Sequence, residues 1–274
     1  MRMTGIKLRL AAAWGLSAAA FASPAAAQSL PLRFDPRLVP PGAVVAALGG
    51  TAQAPVLRFN TPLLPAGGVL AGTIVVALVP SLYPSLFETA TCAPCDPSGL
   101  NFLDRGTVGH VRFGAAKVSD AALYASVGGA GLLLFADAHG NRSVAGEDLT
   151  VWAQSIATAS LITSWLKVLV HRPRPFRYVP AETTITFQSG ISFPSGHSTT
   201  AWAAAFSYWS IQQMRGRAGQ RVPQIAALLG TAAVTGVFRV LARQHFPTDV
   251  MAGALIGASV GWFVPRIYPV RRSP

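Results

Sequence analysis

The sequence predicts an all-α helical bundle set in a membrane, with five or six spanning helices. Three observations predict it. Of 274 residues, 51% are hydrophobic and only 12% are charged, about half the charged fraction of an ordinary soluble domain. The mean hydropathy is +0.42. The apolar residues are gathered into runs at 67–82, 121–135, 149–166, 199–212, 225–238 and 250–264, none of which contains Lys, Arg, Asp or Glu. These runs lack the charged face that a soluble surface helix carries.

Residues 1–27 read as an export signal: Arg2, Lys7 and Arg9 precede a short apolar core, and Ala25-Ala26-Ala27 offers small residues for cleavage. Residues 28–118 read as an N-terminal arm and periplasmic region. Its first part is rich in Pro and Gly and has no period. The run at 67–82 is short and carries Gly67, Gly68, Gly72 and Pro80; it fits a span, a re-entrant piece or a buried helix. Cys92 and Cys95 are too few for a disulfide framework. Zinc would need a second pair of ligands at metal spacing. In an exported setting a local Cys92–Cys95 disulfide is the favoured reading.

Residues 119–265 hold the remaining five runs and read as one helical domain. Ser119-Asp120, Glu147-Asp148 and Thr248-Asp249 place acids where helices are expected to start, as the helix dipole favours. Gly128, Gly129, Gly131, Ala203, Ala204, Gly253 and Gly257 suit close packing of helices in lipid. Residues 266–274 read as a basic cytoplasmic tail. Arg215, Arg217 and Arg221 in one loop, and Arg266, Arg271 and Arg272 at the C-terminus, stand without acids in their own segments, so both segments are expected in the cytoplasm. The opposite helix ends then face the periplasm. Two arrangements satisfy this: a cleaved leader with five spans, or an uncleaved one with six spans starting at Gly67. The weakness of the 67–82 run favours the first. The net charge of +12 suits anionic lipid or phosphorylated substrates. Nucleic acid is not expected, because the arginines sit at the ends of apolar runs and form no stripe on a polar face.

Three polar clusters interrupt the apolar pattern. Lys167 and Arg174 are two helical turns apart and share a face if the helix persists; Pro173 and Pro175 end it. Alone they would also serve as snorkelling anchors. In Phe193-Pro194-Ser195-Gly196-His197, a helix started by Pro194 would expose the N–H groups of Ser195, Gly196 and His197 as an anion cradle. Ser195 adds a hydroxyl, Gly196 permits close approach, and His197 is a proton donor; a plain helix cap is the bland alternative. In the third cluster, Asp249 lies one turn after His245 and can hold one ring nitrogen while the other attacks. Arg239 brings a fork suited to phosphate oxygens. A structural His–Asp cap would look the same.

The order Lys-x6-Arg-Pro, Pro-Ser-Gly-His, Arg-x5-His-x3-Asp resembles the superfamily of type 2 phosphatidic acid phosphatases (PAP2) and vanadium haloperoxidases. The motifs run from Lys167 to Asp249; residues 1–118 carry none. Phe238 departs from the Ser that many members have before the third-motif arginine. The resemblance implies a PAP2/haloperoxidase-type bundle acting as a phosphatase. His245 would be the nucleophile that forms a phosphohistidine, with Asp249 orienting it. His197 would protonate the leaving oxygen and then activate water. Lys167, Arg174, Arg239, Ser195 and Gly196 would bind the phosphoryl oxygens. No metal and no cofactor are expected. The expected substrate is a phosphorylated lipid in a bacterial cell membrane, such as phosphatidic acid, phosphatidylglycerol phosphate, an isoprenyl pyrophosphate or a lipid A phosphate, with the site facing the periplasm. Three alternatives share the motifs: a soluble exported acid phosphatase, a haloperoxidase that takes vanadate as cofactor, and a non-catalytic membrane protein that binds lipid phosphate. His110, His139, His171 and Arg172 have no assigned role, His171 and Arg172 lying inside the first motif at its entrance.

Overall fold

The computed structural model describes residues 57–59, 61, 63–83, 92, 94–180, 190–268 and 270–272. The expected leader and nearly all of the arm before 57 lie outside them. The described part is a helical bundle with one small ribbon. In order it comprises β1 (Leu57–Phe59), α1 (Leu63–Leu82), α2 (Phe102–Arg105), α3 (Phe113–Asp137), α4 (Arg142–Val170), α5 (Gly196–Met214), α6 (Val222–Leu241), α7 (Pro247–Ile267) and β2 (Val270–Arg272). Every apolar run has become a helix. By length and composition five segments are able to cross a membrane: Pro65–Leu82, Phe113–Asp137, Arg142–Val170, Ala218–Leu241 and Pro247–Ile267.

The uncertain 67–82 run is therefore a full helix, with Val69, Val75 and Leu82 exposed along it. The run at 199–212 is the one that falls outside the five. It forms α5, which packs against α3, α4, α6 and α7. Packed among these four helices, α5 tolerates Ser198, Thr199, Ser207, Ser210 and Gln212 as buried residues. The core gathers around it: Ala201, Ala204, Ala205, Tyr208 and Ile211 meet Ala130, Leu134, Val151, Leu228 and Ala232.

Two glycine expectations divide. On α7, Gly253, Gly257 and the further Gly261 press on the α5 backbone. A Cβ on Gly257 would come within 2.2 Å of the Thr199 carbonyl oxygen. On α3, Gly128 has open space, while Gly129 and Gly131 meet only side chains of Leu228 and Trp152 at ordinary distance. Those three are not packing glycines.

Two helix starts also differ from expectation. α3 begins at Phe113, because 113–118 contains no proline and its Ala115, Ala116 and Lys117 favour a helix, so Asp120 lies well inside the helix. α4 begins at Arg142 after Asn141, whose side chain accepts from the amides of Ser143 and Val144. Glu147 and Asp148 are thus freed from capping. Asp148 receives Arg215 at 2.5 Å, and Asp137 receives Arg221 at 2.6 Å. The arginines of the α5–α6 loop are paired with acids from the neighbouring α3–α4 turn.

Residues 270–272, expected as part of a tail, form β2 and pair antiparallel with β1, Arg58 opposite Arg271. Arg58 holds this ribbon to Glu147 at 2.6 Å, and Arg215 lies over the Phe59 ring. Because β1 and β2 share one end of the bundle, the chain between them traverses it an even number of times. α1 and α3–α7 supply those traverses. The polar clusters lie at the opposite end.

Candidate active site

The three clusters converge on a cleft of about 490 Å³. Lys167, Arg174, Gly196, His197, Arg239 and His245 line it. Ser160, Thr163, Ser164, Thr200 and Gln244 complete the wall and had no sequence role. A signal existed for three of them: Ser160, Thr163 and Ser164 precede Lys167 by seven, four and three residues, so they share its helix face.

Lys167 sits in the last turn of α4 and points Nζ toward the carbonyls of Ile191 and Ser192, 3.4 Å from each. The helix ends at Val170, with His171 in the left-handed conformation (φ 49°). Arg174 therefore does not continue the helix face of Lys167. It is placed by the strand-like contact of Pro173 with Ile191, by its N–H to the Gly190 carbonyl, and by Nε to the Ile191 carbonyl at 3.1 Å. It also donates to Gln244. Burial, then the nearby Arg239, push its guanidinium down to about 9.

The second motif starts α5 at Gly196, two residues later than expected. Ser195 is the cap: its Oγ accepts from the Ser198 amide, and its own N–H donates to the Asp249 carbonyl at 3.0 Å. Ser195 is fully buried and is not among the cleft-lining residues. The Ser195 amide is thus spent on tying α5 to α7, and the helix amides that remain for an anion are those of Gly196 and His197. A Cβ on Gly196 would meet only Thr163 at 3.8 Å. His197 Nε2 lies 3.0 Å from Asp120 Oδ1, the acid first read as a helix start. The same oxygen receives Arg239 at 3.2 Å.

After α6 the chain turns back so that the amides of both Gln244 and His245 reach the Arg239 carbonyl. That turn sets Arg239 and His245 side by side. It needs Arg243 at positive φ (57°), a residue pinned by donation to the Val108 carbonyl. His245 is buried, and its Nδ1 lies 3.7 Å from Asp249 Oδ2, beyond hydrogen-bond length. Among the described residues, His245 Nδ1 and Arg239 Nε are buried with no hydrogen-bond partner. Burial, then Arg174, Lys167 and Arg239, hold the His245 ring well below its ordinary value. A neutral imidazole beside Lys167, Arg174 and Arg239 has the chemistry to attack an anion held there.

Asp249 stands behind His245, outside the cleft. Its Oδ2 accepts from the Phe246 amide at 2.8 Å, and its Oδ1 receives Arg172 at 2.6 Å. Arg172 and Asp104 are the residues the sequence reading missed. Arg172 was hidden among the prolines of the first motif, and Asp104 stands in a tract with no motif. His110 and His139 are not among the cleft-lining residues. Cys92 and Cys95 form a disulfide, and the Cys95 amide bonds the Arg177 carbonyl, which places the bridge at the cleft end of the bundle.

A second depression of about 410 Å³ adjoins the cleft. Leu70, Ile74 and Leu78 of α1, Val127 of α3, and Trp152 and Ile156 of α4 line it. Ser160 belongs to both walls. An apolar groove between span-length helices thus leads to a cationic cleft.

Comparison with known proteins agrees with the motifs. The PAP2 superfamily model matches residues 149–273. A lipid A 1-phosphatase of Rhizobium etli is 32% identical over 117 residues, covering 40% of this chain and 44% of that protein. A decaprenylphosphoryl-5-phosphoribose phosphatase of Mycobacterium tuberculosis is 35% identical over 109 residues, covering 40% and 55%. Glucose-6-phosphatase 3 of Bos taurus is 32% identical over 135 residues, covering 41% and 39%. The chain spans about half the length, or less, of these relatives.

Proposed function

We propose that the chain, whose residues 149–273 match the PAP2 superfamily model, is a membrane lipid-phosphate phosphatase working through a phosphohistidine on His245. The observation that carries the reading is the cleft itself: one neutral, buried histidine among Lys167, Arg174 and Arg239, with a second histidine opposite and an apolar groove alongside. The groove favours a lipid over a soluble sugar phosphate, since a hydrocarbon tail gains free energy roughly in proportion to the apolar area it buries.

In the first step, His245 attacks phosphorus. The N–P bond forms, the bond to the lipid oxygen breaks, and His197 delivers its proton to that oxygen. In the second step, water attacks the phosphohistidine, His197 takes the water proton, and the N–P bond breaks to release phosphate. Lys167, Arg174 and Arg239 with the amides of Gly196 and His197 neutralise the charge that spreads over the equatorial oxygens. Asp120 holds the His197 ring at Nε2 while that ring gives and takes the proton, and Asp249 supports His245. Neither a metal nor an organic cofactor takes part.

The proposed orientation puts the cleft in the periplasm. The Cys92–Cys95 bridge at the cleft end favours an oxidising compartment, and Arg215, Arg217, Arg221 and Arg266 at the other end favour the cytoplasm. With six traverses, β1 then lies on the cytoplasmic side, which favours the six-span arrangement over the five-span one. Labelling of Ser98→Cys, but not Gln220→Cys, by an impermeant maleimide in intact cells is the expected result; the reverse pattern overturns the orientation.

The deciding assay is phosphate release by the detergent-purified chain from phosphatidic acid, phosphatidylglycerol phosphate, an isoprenyl pyrophosphate, lipid A and glucose 6-phosphate, with and without EDTA. Release from at least one lipid, unaffected by EDTA, is expected. Release from glucose 6-phosphate alone defeats the lipid reading, and bromination that depends on added vanadate and peroxide would favour the haloperoxidase alternative.

A further inference from the structure

We propose that Asp104 and Arg172 are positioning residues of this site, a buried carboxylate–guanidinium pair that fixes Asp249 behind His245. The proposal rests on the phosphatase reading above and adds two residues to it, one of them outside the stretch that matches the family. Asp104 comes from the four-residue helix α2, between the disulfide loop and α3, and is fully buried.

The contacts form a chain. Arg172 gives one amino group to Asp104 Oδ2 at 2.6 Å and the other to Asp249 Oδ1 at 2.6 Å. The second amino group also donates to Thr248 Oγ1 at 2.7 Å, and the guanidinium lies 4.1 Å over the Phe246 ring. Asp104 in turn grips the start of α7. Its Oδ1 accepts from the Thr248 amide at 3.2 Å, and its Oδ2 accepts the Thr248 hydroxyl at 2.7 Å. Asn101 closes the carboxylate from behind at 2.7 Å. Burial opposes ionisation of Asp104, yet the hydrogen bonds from Thr248 and Arg172 prevail and its carboxyl sits below the usual range.

One guanidinium is thus shared by two carboxylates that have no exposure to water. An arrangement of that kind is a poor device for stability alone, but a good one for direction. With Oδ1 held by Arg172 and Oδ2 held by the Phe246 amide, the Asp249 carboxylate has its rotation fixed. Oδ2 is the oxygen that faces His245 Nδ1. Neither Asp104 nor Arg172 lines the cleft, so neither touches the phosphoryl group. Their influence reaches the reaction only through Asp249, as an outer carboxylate orients a histidine in other sites.

The test uses the full chain in detergent with a lipid substrate that the wild type turns over, and compares Asp104→Asn, Arg172→Lys and the double variant. Expected is a fall in kcat of about 10–100-fold for each single change, the range for lost outer-shell partners. Inhibition by inorganic phosphate stays within about two-fold of wild type, because the cations that bind it are untouched. The double variant is little worse than either single one, because both act through the same carboxylate. Phosphate inhibition that weakens in step with kcat, losses that multiply in the double variant, or an unchanged kcat overturns the proposal. Where Asp104→Asn does not fold, Thr248→Val removes one hydroxyl from the same network, keeps the side-chain shape, and is read by the same criteria. A wild type with no turnover on any substrate defeats the phosphatase reading and this proposal with it; an active wild type with unaffected variants defeats this proposal alone.

Discussion

Gly253→Ala makes the sharpest demand on the account, because it alters no chemical group of the cleft. Gly253 lies one turn after Asp249 on α7, against the start of α5. A Cβ there would sit 2.6 Å from the Ser195 carbonyl oxygen and 3.0 Å from Thr199 Oγ1, where ordinary contact begins at 3.4 Å. The neighbour is backbone, so the helices must part by about 0.8 Å at the level of Ser195. That movement separates the helix carrying His197 from the one carrying Asp249, and strains the Ser195–Asp249 backbone bond. Overpacking of this size costs about 1–3 kcal/mol. A misplacement near 1 Å lowers turnover by about 100-fold; a loss of 10–100-fold in kcat is therefore expected. Gly261→Ala is the control. Its Cβ would meet the Ala203 carbonyl oxygen at 2.5 Å, an equal clash on the same two helices but about 12 Å further from the site. The assay is phosphate release at saturating lipid, alongside thermal unfolding in detergent. Both variants should lose similar stability, and Gly261→Ala should keep kcat within about five-fold. Equal loss of kcat in the two, or an unchanged kcat in Gly253→Ala, refutes the reasoning.

Two further predictions concern stability. Arg215→Ala leaves Asp148 buried without its main partner, at a cost of about 3–5 kcal/mol, whereas Arg58→Ala removes a partly exposed arginine from a buried Glu147 that keeps Arg215 at 3.5 Å and costs less; unfolding curves that rank them the other way contradict the burial argument, and the folded fraction of each should keep its kcat. The depressed His245 ring makes a pH prediction with a definite sign. An unfolded chain takes up that proton near pH 6.5 while the folded chain does not, so stability is fully present above about 6.5 and falls as pH drops, by up to about 1.4 kcal/mol per pH unit. His245→Asn should show a shallower decline than wild type between pH 6.5 and 5; equal slopes would show that His245 titrates normally in the fold.

The helices and the composite site were legible because their signals are local. A charge-free apolar run marks a span or a core helix whatever surrounds it, and Lys167, His197, Arg239, His245 and Asp249 announce themselves by spacing. The failures share one cause. Asp120, Glu147 and Asp148 look like helix-start acids, yet their partners are His197, Arg239 and Arg215 on helices far away in sequence, so the competition between cap and ion pair is decided by the tertiary fold. Asn141 was the better cap signal, and it lay eight residues ahead of the run. Ser195 was assigned to the phosphate, but its amide is needed to join α5 to α7. The β1–β2 ribbon joins two three-residue segments more than 200 residues apart, too short to show any period. Asp104 could not be found from sequence because it has no motif, only a position beside Arg172 and Thr248.

The central claim is that His245 carries the phosphoryl group, and trapping it is the most direct measurement. Wild type quenched in alkali during turnover of a radiolabelled lipid phosphate should hold label that is stable to base and lost in acid, on the peptide containing His245. His245→Ala should hold no label and release phosphate at least about 1,000-fold more slowly, while unfolding at a temperature close to wild type. Full turnover by His245→Ala, or label found on another residue, would contradict the account.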